Sequence, residues 1–215
     1  MKNKIIKLNI IIILILTITT YILIGKVFAI EPASENIYEG IDVSSWQGDI
    51  DFEKVKEAGI DVVYIKSSEG RTMIDPYFEQ NYTNAKLYGL KVGFYHYVTA
   101  RSVEVAITQA EFFCSLIVDK QMDCRPAMDF ESFGNLSIDE INEIGIAFME
   151  RVEELTGYKP VIYSNTYNAY ARFNGQITNY PLWVAQWQVS EPEDNGNWST
   201  WAGWQYTSKG ILERN

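Results

Sequence analysis

The sequence is poor in the two residue types that most often bind transition metals. It has 215 residues but a single histidine, His96, and only two cysteines, Cys114 and Cys124. Zinc sites take most of their ligands from these side chains, so we predict no metal site. The sequence also lacks a glycine-rich loop of the Rossmann or Walker type, which argues against a nucleotide. We therefore expect a protein that works without a cofactor.

Basic residues are scarce relative to acidic ones. The chain has 18 lysines and arginines against 28 aspartates and glutamates, a formal net charge of −10. Four of the lysines and none of the acidic residues fall within residues 1–29, so the remainder carries 14 basic and 28 acidic residues. Nucleic acids and anionic lipid surfaces bind to clusters of positive charge. This balance therefore excludes nucleic acid and the membrane surface as partners of the folded part.

Long apolar runs are absent, with one exception near the N-terminus. Three lysines within the first seven residues precede an apolar run over residues 8–24, and Val27-Phe28-Ala29 follows it. This pattern predicts a signal peptide, residues 1–29, cleaved after Ala29. An uncleaved signal anchor is the alternative, in which residues 8–24 would be the protein's membrane contact. Both alternatives place the rest of the chain outside the cytoplasm, either secreted or anchored at its N-terminus.

The two cysteines allow two interpretations. Nine residues separate Cys114 from Cys124, and export would permit a disulfide between them. So short a loop would stabilise the fold by only about 2–3 kcal/mol in the chain-entropy picture. Two unpaired, buried thiols are the alternative, and the spacing does not decide between them.

From about residue 38 onward, short apolar runs alternate with amphipathic stretches. Helices are predicted where apolar residues recur every three or four positions, over residues 52–58, 76 to about 89, 102–118 and 137–157. Seven strands are predicted around them, over residues 40–44, 62–66, 91–98, the run that ends in Asp129 and Glu131, 159–165, 182–187 and 203–207. This alternation predicts one α/β domain with a parallel sheet and helical crossovers.

Local signals mark three of the helix starts. Asp51 is predicted to cap the first helix. Asp75 and Pro76 are predicted to be the N-cap and the first position of the second helix. Ser137 and Glu140 have the spacing of a capping box, which predicts the start of the longest helix.

Seven strands joined by helices fit a (β/α) barrel, and a doubly wound open sheet is the competing architecture. In both architectures, active sites lie at the carboxyl ends of the strands. Polar side chains collect at or near the predicted strand ends, namely Asp42, Ser44, residues 66–69, Tyr97, Asp129, Glu131, Tyr163, Asn165 and Gln186. The sequence therefore predicts one functional rim.

Asp129 and Glu131 form a pair of carboxylates two positions apart at the end of an apolar run. Successive side chains on a strand point to opposite faces, so these two share a face. Repulsion and burial would let one carboxyl keep its proton to a higher pH, as general acid catalysis at a glycosidic oxygen requires. A strand that leads into an acidic, solvated loop is the alternative. The spacing is compatible with both retaining and inverting glycosidases.

Other candidates accompany the pair. Asp42 would be a third carboxylate at the rim and Lys66 a cation there, with a helix cap and a lysine that reaches water as the alternatives. Tyr95 and Tyr97 share a strand face, and we expect Tyr97 to contact sugar rings and the deeper Tyr95 to pack in the core. His96 points to the opposite face, where we expect a packed, hydrogen-bonded residue and not a catalyst.

In combination and in order, these motifs resemble those of the glycoside hydrolase family 25 lysozymes, the N-acetylmuramidases. The resemblance runs from about Tyr38 to Gly210. It is carried by GIDVSSWQG (residues 40–48), IKSSEG (65–70), Asp75 with Phe78 and Asn81, GLKVGFYHY (89–97), DFE (129–131), YSN (163–165), WVAQ (183–186) and WQYTS (204–208).

The resemblance implies hydrolysis of the β-1,4 bond between N-acetylmuramic acid and N-acetylglucosamine in peptidoglycan. It implies an irregular, flattened (β/α) barrel of the TIM type. Glu131 matches the family's general acid, Asp129 its carboxylate partner, and Asp42 a third acidic residue. The positions that the family uses around the sugar are matched by Lys66, Tyr97, Tyr163 and Gln186. We expect a monomer that needs no cofactor and whose partner is the peptidoglycan glycan strand.

The resemblance departs from the family at the C-terminus. Family members usually continue into a segment that supplies a last strand and a fourth acidic residue. The sequence stops at Asn215, and Glu213 has no counterpart at a matching spacing. Whether the barrel has its C-terminal strand is therefore left open. The catalytic domain is predicted over residues 38–215. A glycan-binding or envelope accessory protein with impaired catalysis is the alternative function.

Overall fold

The computed structural model describes residues 29–210 and has a mixed α/β fold, in which a curled parallel sheet forms a half-barrel. A short strand β4 (Met73–Ile74) pairs antiparallel with one strand of this sheet, and β1 (Glu31–Pro32) pairs with β9 (Thr200–Trp201) in a separate ribbon. Seven parallel strands lie side by side in chain order: β2 (Gly40–Val43), β3 (Val62–Glu69), β5 (Lys91–Tyr97), β6 (Ala127–Asp129), β7 (Val161–Asn165), β8 (Leu182–Ala185) and β10 (Gly203–Gln205).

Within the described chain, the α-helices are α1 (Phe52–Glu57), α2 (Phe78–Leu87), α3 (Val103–Ile117), α4 (Ile138–Thr156) and α5 (Thr166–Ala171). The side chain of Asp51 caps α1 by accepting a hydrogen bond from the Lys54 N–H at 3.2 Å. Ser137 and Glu140 make both bonds of the capping box at the start of α4, and Gly157 ends this helix with a left-handed φ of 73°. The predicted cap at Asp51 and the predicted capping box at Ser137 and Glu140 are confirmed.

The strand order confirms the parallel sheet and decides between the two predicted architectures. A doubly wound sheet adds later strands on both sides of the first, whereas each of the seven strands here lies beside its predecessor. The doubly wound alternative is therefore wrong. In residues 29–210, no backbone ladder joins the edge strands β2 and β10. Side chains link them instead, through hydrogen bonds from Gln205 to Asp42 and from Tyr206 to Glu39.

Two glycines make room for aromatic rings on the concave side of the sheet. Gly93 lies beside Tyr64, and a Cβ at Gly93 would come within 2.5 Å of the Tyr64 ring. Gly203 lies beside Trp183, and a Cβ there would come within 2.9 Å of the indole. The rings of Tyr64 and Trp183 pack against each other with centroids 4.7 Å apart. Neither ring would fit if its neighbouring strand carried a side chain at that position.

Asp75 has a different role from the predicted one. It does not cap α2, which begins three residues later at Phe78. Its buried carboxylate accepts hydrogen bonds from the backbone N–H groups of Ser45 and Tyr77, both at 3.0 Å. Asp75 therefore ties the turn after β2 to the approach to α2. A local capping rule could not predict this, because one of the two donors lies 30 residues away.

Of the two alternatives for the cysteines, the structure has the free thiols and not the possible disulfide between Cys114 and Cys124. Cys114 is buried on α3, where Arg151 of α4 is a nearby charge. Cys124 is half-buried in the loop before β6, where its N–H donates to the Val92 carbonyl on β5 at 3.0 Å. The loop thus binds Cys124 to the sheet and not to the helix that carries Cys114. Burial raises the pKa of Cys114 to about 12 and that of Cys124 to about 11.

The first described residues run along the C-terminal part of the fold. Ile30 is buried and its N–H donates to the Pro192 carbonyl at 3.0 Å, while the Ala33 N–H donates to the Trp201 carbonyl at 2.7 Å. The apolar run over residues 8–24 and the C-terminal residues 211–215, which include Glu213, lie outside the described residues. Among the helices of the described part, none is long and apolar enough to cross a bilayer.

His96 is fully buried on the face of β5 that the helices cover. Its ring lies near Phe113 of α3 and Phe148 of α4, with centroid distances of 5.6 and 5.5 Å. Its Nδ1 is 2.8 Å from the Ser68 hydroxyl and its Nε2 is 3.4 Å from Oε1 of Gln109. The prediction of a packed, hydrogen-bonded histidine is confirmed. Burial lowers the pKa of His96 to about 3, so the ring is neutral.

We expect His96 to weaken the fold in mild acid. The unfolded chain protonates the ring near its ordinary pKa of 6.5, whereas the folded protein keeps it neutral to about pH 3. The free energy of unfolding should therefore fall as the pH drops below about 6.5, by up to about 1.4 kcal/mol per pH unit from this group. Urea denaturation at several pH values should show a smaller acid loss for His96→Gln. An equal loss in both proteins would contradict a buried, neutral ring.

Candidate active site

The parallel register brings four side chains into one row at the carboxyl ends of the strands. Tyr97 on β5, Asp129 on β6, Tyr163 on β7 and Trp183 on β8 are successive cross-strand neighbours. All four line one groove on the concave side of the sheet. Parallel strands end at the same edge, so residues distant in sequence meet there.

The groove has two parts that share Tyr95 and Asp129. The first part, about 200 Å³, is lined by Asp42, Tyr95, Asp129, Glu131, Tyr163, Trp183 and Gln205. The second part, about 280 Å³, is lined by Ser44, Trp46, Lys66, Glu69, Tyr95, Tyr97 and Asp129. The sequence-predicted residues Asp42, Lys66, Tyr97, Asp129, Glu131 and Tyr163 are thus brought together.

Asp129 and Glu131 flank the end of β6. Asp129 is the last residue of the strand, Phe130 is buried on the other face, and Glu131 lies just beyond the strand end. Oδ1 of Asp129 is buried and has no hydrogen-bond partner among residues 29–210. Burial raises the pKa of both carboxyls, and the Glu131 charge raises the pKa of Asp129 further, whereas the Lys66 ammonium opposes this rise. At least one carboxyl of the pair therefore keeps its proton to a higher pH than an exposed carboxyl would.

Asp42 reaches the same groove from the edge strand β2. Its Oδ2 accepts a hydrogen bond from Nε2 of Gln205 at 3.0 Å. Burial raises the pKa of Asp42, and the hydrogen bond from Gln205 acts against that rise. The charge of Asp42 also contributes to the raised pKa of Asp129. Three carboxyl groups therefore interact at this end of the groove.

A strand irregularity brings a second charged pair to the groove. The Nζ of Lys66 is 2.8 Å from Oε2 of Glu69 and 5.3 Å from the centroid of the Tyr97 ring. Residues three apart on a regular strand face opposite ways. The register of β3 against β5 shifts between Lys66 and Ser68. This shift lets both Lys66 and Glu69 line the groove.

Tyr95 is placed differently from the expectation that it packs in the core. It lines both parts of the groove. Burial, together with the charges of Asp42 and Asp129, raises its pKa. Burial also raises the pKa of Tyr163, with further contributions from Glu131 and Asp129. Both phenols therefore stay protonated and can donate hydrogen bonds.

Of the two glutamines near the strand ends, the structure places Gln205 in the groove and not the expected Gln186. Gln186 lines neither part of the groove, because its side-chain oxygen accepts a hydrogen bond from the Glu193 N–H at 2.9 Å. Gln205, which the sequence did not single out, lines the groove instead. Alternation along each strand separates them once the strand register is known. Gly203 lies beside the groove residue Trp183, which puts Gln205 on the groove face and Gln186 on the other.

Trp183 and Trp46 were also missed as groove residues. The sequence places five of its six tryptophans between Trp183 and Trp204 without separating wall from core. The structure puts Trp183 in the groove wall, in edge contact with the Tyr163 ring at 5.2 Å. Trp46 lies in a 3-10 turn at the mouth of the groove and is 89% exposed.

The groove therefore offers carboxyl groups with raised pKa values, a lysine cation, phenol donors and flat aromatic faces. Such a set can bind sugar rings and exchange a proton with a bound oxygen. Within residues 29–210, no group of three or more histidine, cysteine or carboxylate side chains is arranged to hold a metal ion. The chemistry available to these residues is acid and base chemistry.

Comparison with known proteins identifies relatives over most of the chain. The family model of the glycosyl hydrolases family 25 matches residues 41–214. The chain is 36% identical to the YegX protein of Escherichia coli over 194 residues, which cover 87% of this chain and 70% of YegX. It is also 36% identical over 174 residues to the autolytic lysozyme of Clostridium acetobutylicum. That match covers 81% of this chain and 52% of the lysozyme, so the chain spans about half of that relative's length.

A solved structure has the same architecture. The bacterial lysozyme from Streptomyces coelicolor matches with a TM-score of 0.70 and 32% sequence identity. The match covers 83% of this chain and 87% of that lysozyme. Sequence and fold therefore point to the same group of relatives.

We expect Asp129→Asn to stabilise the fold at neutral pH. Because the folded-state pKa of Asp129 is raised by burial and by Glu131, its stability contribution is complete below the unfolded value of 3.8. It is lost as the pH rises through the folded pKa, so the ionised groove opposes folding at neutral pH. Removing this group should raise the free energy of unfolding at neutral pH.

Thermal denaturation at neutral pH and near pH 3 tests this expectation. The gain should be present at neutral pH and absent near pH 3, where Asp129 is protonated in both states. Asp119→Asn, at an exposed aspartate just beyond α3, is the matched control and should change little. A variant of Asp129 that is less stable than the wild type at neutral pH would contradict the raised pKa.

Proposed function

The chain belongs to the glycosyl hydrolases of family 25, and from this premise we propose that it hydrolyses the β-1,4 bond between N-acetylmuramic acid and N-acetylglucosamine in peptidoglycan. The chain is thus a glycoside hydrolase whose relatives include proteins named lysozyme and muramidase. The observation that carries the substrate and bond proposal is that Asp129 and Glu131 line one groove and that burial raises the pKa of both. A pair in which one carboxyl is protonated and the other is ionised supplies both the acid and the carboxylate that glycosidic cleavage needs.

The roles follow from where the two carboxyls lie. Glu131, beyond the strand end, gives its proton to the leaving sugar oxygen as the bond from that oxygen to C1 breaks. Asp129 is then ionised, and the Lys66 ammonium, which opposes the rise in its pKa, favours this state. Its charge stabilises the positive charge that develops as the substrate's own acetamido oxygen attacks C1. Water then adds at C1 as the bond from the acetamido oxygen to C1 breaks, and this water gives a proton back to Glu131.

Substrate contacts are proposed for the remaining groove residues. Lys66, Tyr97 and Tyr163 line the groove beside the carboxyl pair and can donate to sugar hydroxyl groups. The exposed Trp46 ring at the groove mouth suits stacking against a sugar face. Gln186 is not included, because its side chain binds the Glu193 backbone. Because the domain is acidic, capture of an anionic wall has to rest on these direct sugar contacts.

The wider setting is proposed on the same premise. Residues 38–215 form the catalytic domain, and the half-barrel corresponds to the irregular, flattened (β/α) barrel of the family. The domain acts outside the cytoplasm as a monomer, on the glycan strands of the wall. The basic and apolar N-terminal sequence supports export.

Glu131→Gln should abolish turnover and leave the fold intact. The amide keeps the size of the side chain but has no acidic proton to give, so kcat should fall by about 10²–10⁴-fold. The measurement is the release of reducing ends from purified peptidoglycan by the full chain. Glu143→Gln, at an exposed glutamate on α4, is the control and should keep wild-type activity.

Two outcomes would contradict parts of this proposal. Retained activity in Glu131→Gln would exclude Glu131 as the acid. A wild-type protein that binds muramyl glycans but releases no reducing ends would favour the alternative of a glycan-binding protein. Asp129→Asn separates the two carboxyl roles, because it removes the charge that stabilises the acetamido group and keeps Glu131.

We further propose that the reaction retains the anomeric configuration. Inverting enzymes hold their carboxyls about 6.5–9.5 Å apart to admit a water between them. The route proposed above needs no water between the carboxyls, because the acetamido oxygen attacks C1 and water then displaces it, so that C1 is inverted twice. Proton NMR of the first product released from a short muramyl glycan should show the β anomer. Initial release of the α anomer would exclude this route.

A further inference from the structure

Gln205, the last residue of β10, joins three side chains at the groove. Its Oε1 accepts hydrogen bonds from the Tyr163 hydroxyl and from the Trp187 indole Nε1, both at 3.2 Å. Its Nε2 donates to Oδ2 of Asp42 at 3.0 Å. Both ends of the amide are therefore used.

The chemistry of these partners fixes the orientation of the amide. An indole N–H can only donate, so the atom that faces Trp187 must be the carbonyl oxygen. The NH₂ end then faces Asp42, which has to accept. A reversed amide would direct an NH₂ group at the Trp187 N–H and a carbonyl oxygen at the Asp42 carboxylate. The bonded orientation is therefore the only one that satisfies all three partners.

Gln205 also spans the open edge of the sheet. The edge strands β2 and β10 share no backbone ladder in the described part of the chain. Two side-chain bonds cross this edge, from Gln205 to Asp42 and from the Tyr206 hydroxyl to Oε2 of Glu39 at 2.8 Å. Asp42 therefore sits on a strand whose position beside β10 depends on side chains.

We propose that Gln205 is a positioning residue that holds Asp42 in the groove as a hydrogen-bond acceptor and couples it to Tyr163 and Trp187. The proposal deepens the proposed function and rests on it wherever turnover is measured. An amide donor stabilises the ionised carboxylate and fixes its direction. Through this contact, Gln205 sets the place from which the Asp42 charge acts on the Asp129–Glu131 pair.

The isosteric variant Gln205→Glu separates the donor from the packing. One oxygen of the new carboxyl would still accept from Tyr163 and Trp187, whereas the other would face Asp42. Two carboxylates at hydrogen-bonding distance repel unless they share a proton. The variant should therefore be tolerated when that proton is bound and disfavoured when it is lost.

The activity of the full chain on peptidoglycan is the first readout. At neutral pH, kcat of Gln205→Glu should fall on the order of tenfold or more, the loss expected for a hydrogen bond to a charged group. KM should stay near the wild-type value, because the affected group is a carboxylate and not a main sugar contact. This deficit in kcat should shrink as the pH is lowered. The alkaline limb of the variant's pH profile should therefore lie at a lower pH than that of the wild type. A residue with a packing role alone would not move this limb.

The pH dependence of the unfolding midpoint is the second readout, and it needs no turnover. The shared proton gives a folded-state pKa above the unfolded value. The variant should therefore match the wild type best in acid and fall behind as the pH rises. In the Asp42→Asn background the effect of Gln205→Glu should largely vanish, because the opposing charge is gone.

Two further variants keep the proposal open to contradiction. Tyr206→Phe removes the other bond across the same edge without touching Asp42, so it should lower stability slightly and leave the pH profile unchanged. Should Gln205→Glu fail to fold, Gln205→Met removes the donor to Asp42, together with the acceptor of Tyr163 and Trp187, without adding charge. This variant should raise the pKa of Asp42 and shift the pH dependence of both activity and the unfolding midpoint.

The outcomes separate the two proposals. A wild-type pH dependence of both activity and stability in the Gln205 variants would overturn the positioning role, whatever the enzyme's substrate. If the wild type releases no reducing ends, the proposed function fails. The stability readout would still decide the contact between Gln205 and Asp42.

Discussion

The protonation state of this groove depends on one constraint. Its carboxyl groups are held close together and partly shielded from water, so ionising them costs free energy. Asp42, Asp129 and Glu131 meet at one edge of the sheet, and burial raises the pKa of each. The surrounding side chains compensate for this in different ways. The Lys66 ammonium opposes the rise at Asp129 and the Gln205 amide opposes it at Asp42, while the buried phenols stay neutral and add no charge. The cost that remains favours a protonated carboxyl in the Asp129–Glu131 pair.

The sheet makes this arrangement possible because all its groove strands run in one direction. Tyr97, Asp129, Tyr163 and Trp183 are neighbours only through the strand register. The shift in β3 adds Lys66 and Glu69 to the same face, which a regular strand would have separated. On the other face of β5, His96 is neutral and sealed between two helices, so it takes no part in the groove's protonation. Strand β5 thus contributes to the groove wall with one face and to the core with the other.

Much of this could be predicted from local patterns. The caps at Asp51 and Ser137 were predictable because their partners lie within three residues. The pair at positions 129 and 131 was predictable because side chains alternate on a strand. Asp75, Tyr95 and Gln186 were placed incorrectly, and each error has a tertiary cause. Asp75 binds a backbone donor 30 residues away. Tyr95 was assigned to the core because of its depth in the strand, but the groove reaches down to it. Gln186 was assigned without knowing which strand face is concave.

The sequence by itself determined the alternation of strands and helices, the order of the carboxylates along the chain, and the opposite faces taken by His96 and Tyr97. These features depend on backbone periodicity and on partners a few residues apart. The tertiary structure alone decided that both cysteines are free, that Gln205 and not Gln186 faces the groove, and that Asp42 is bound across an open edge. The Gln205–Asp42 bond joins residues 163 positions apart. Such a contact is specified by how the sheet curls, and no local pattern in the chain encodes that.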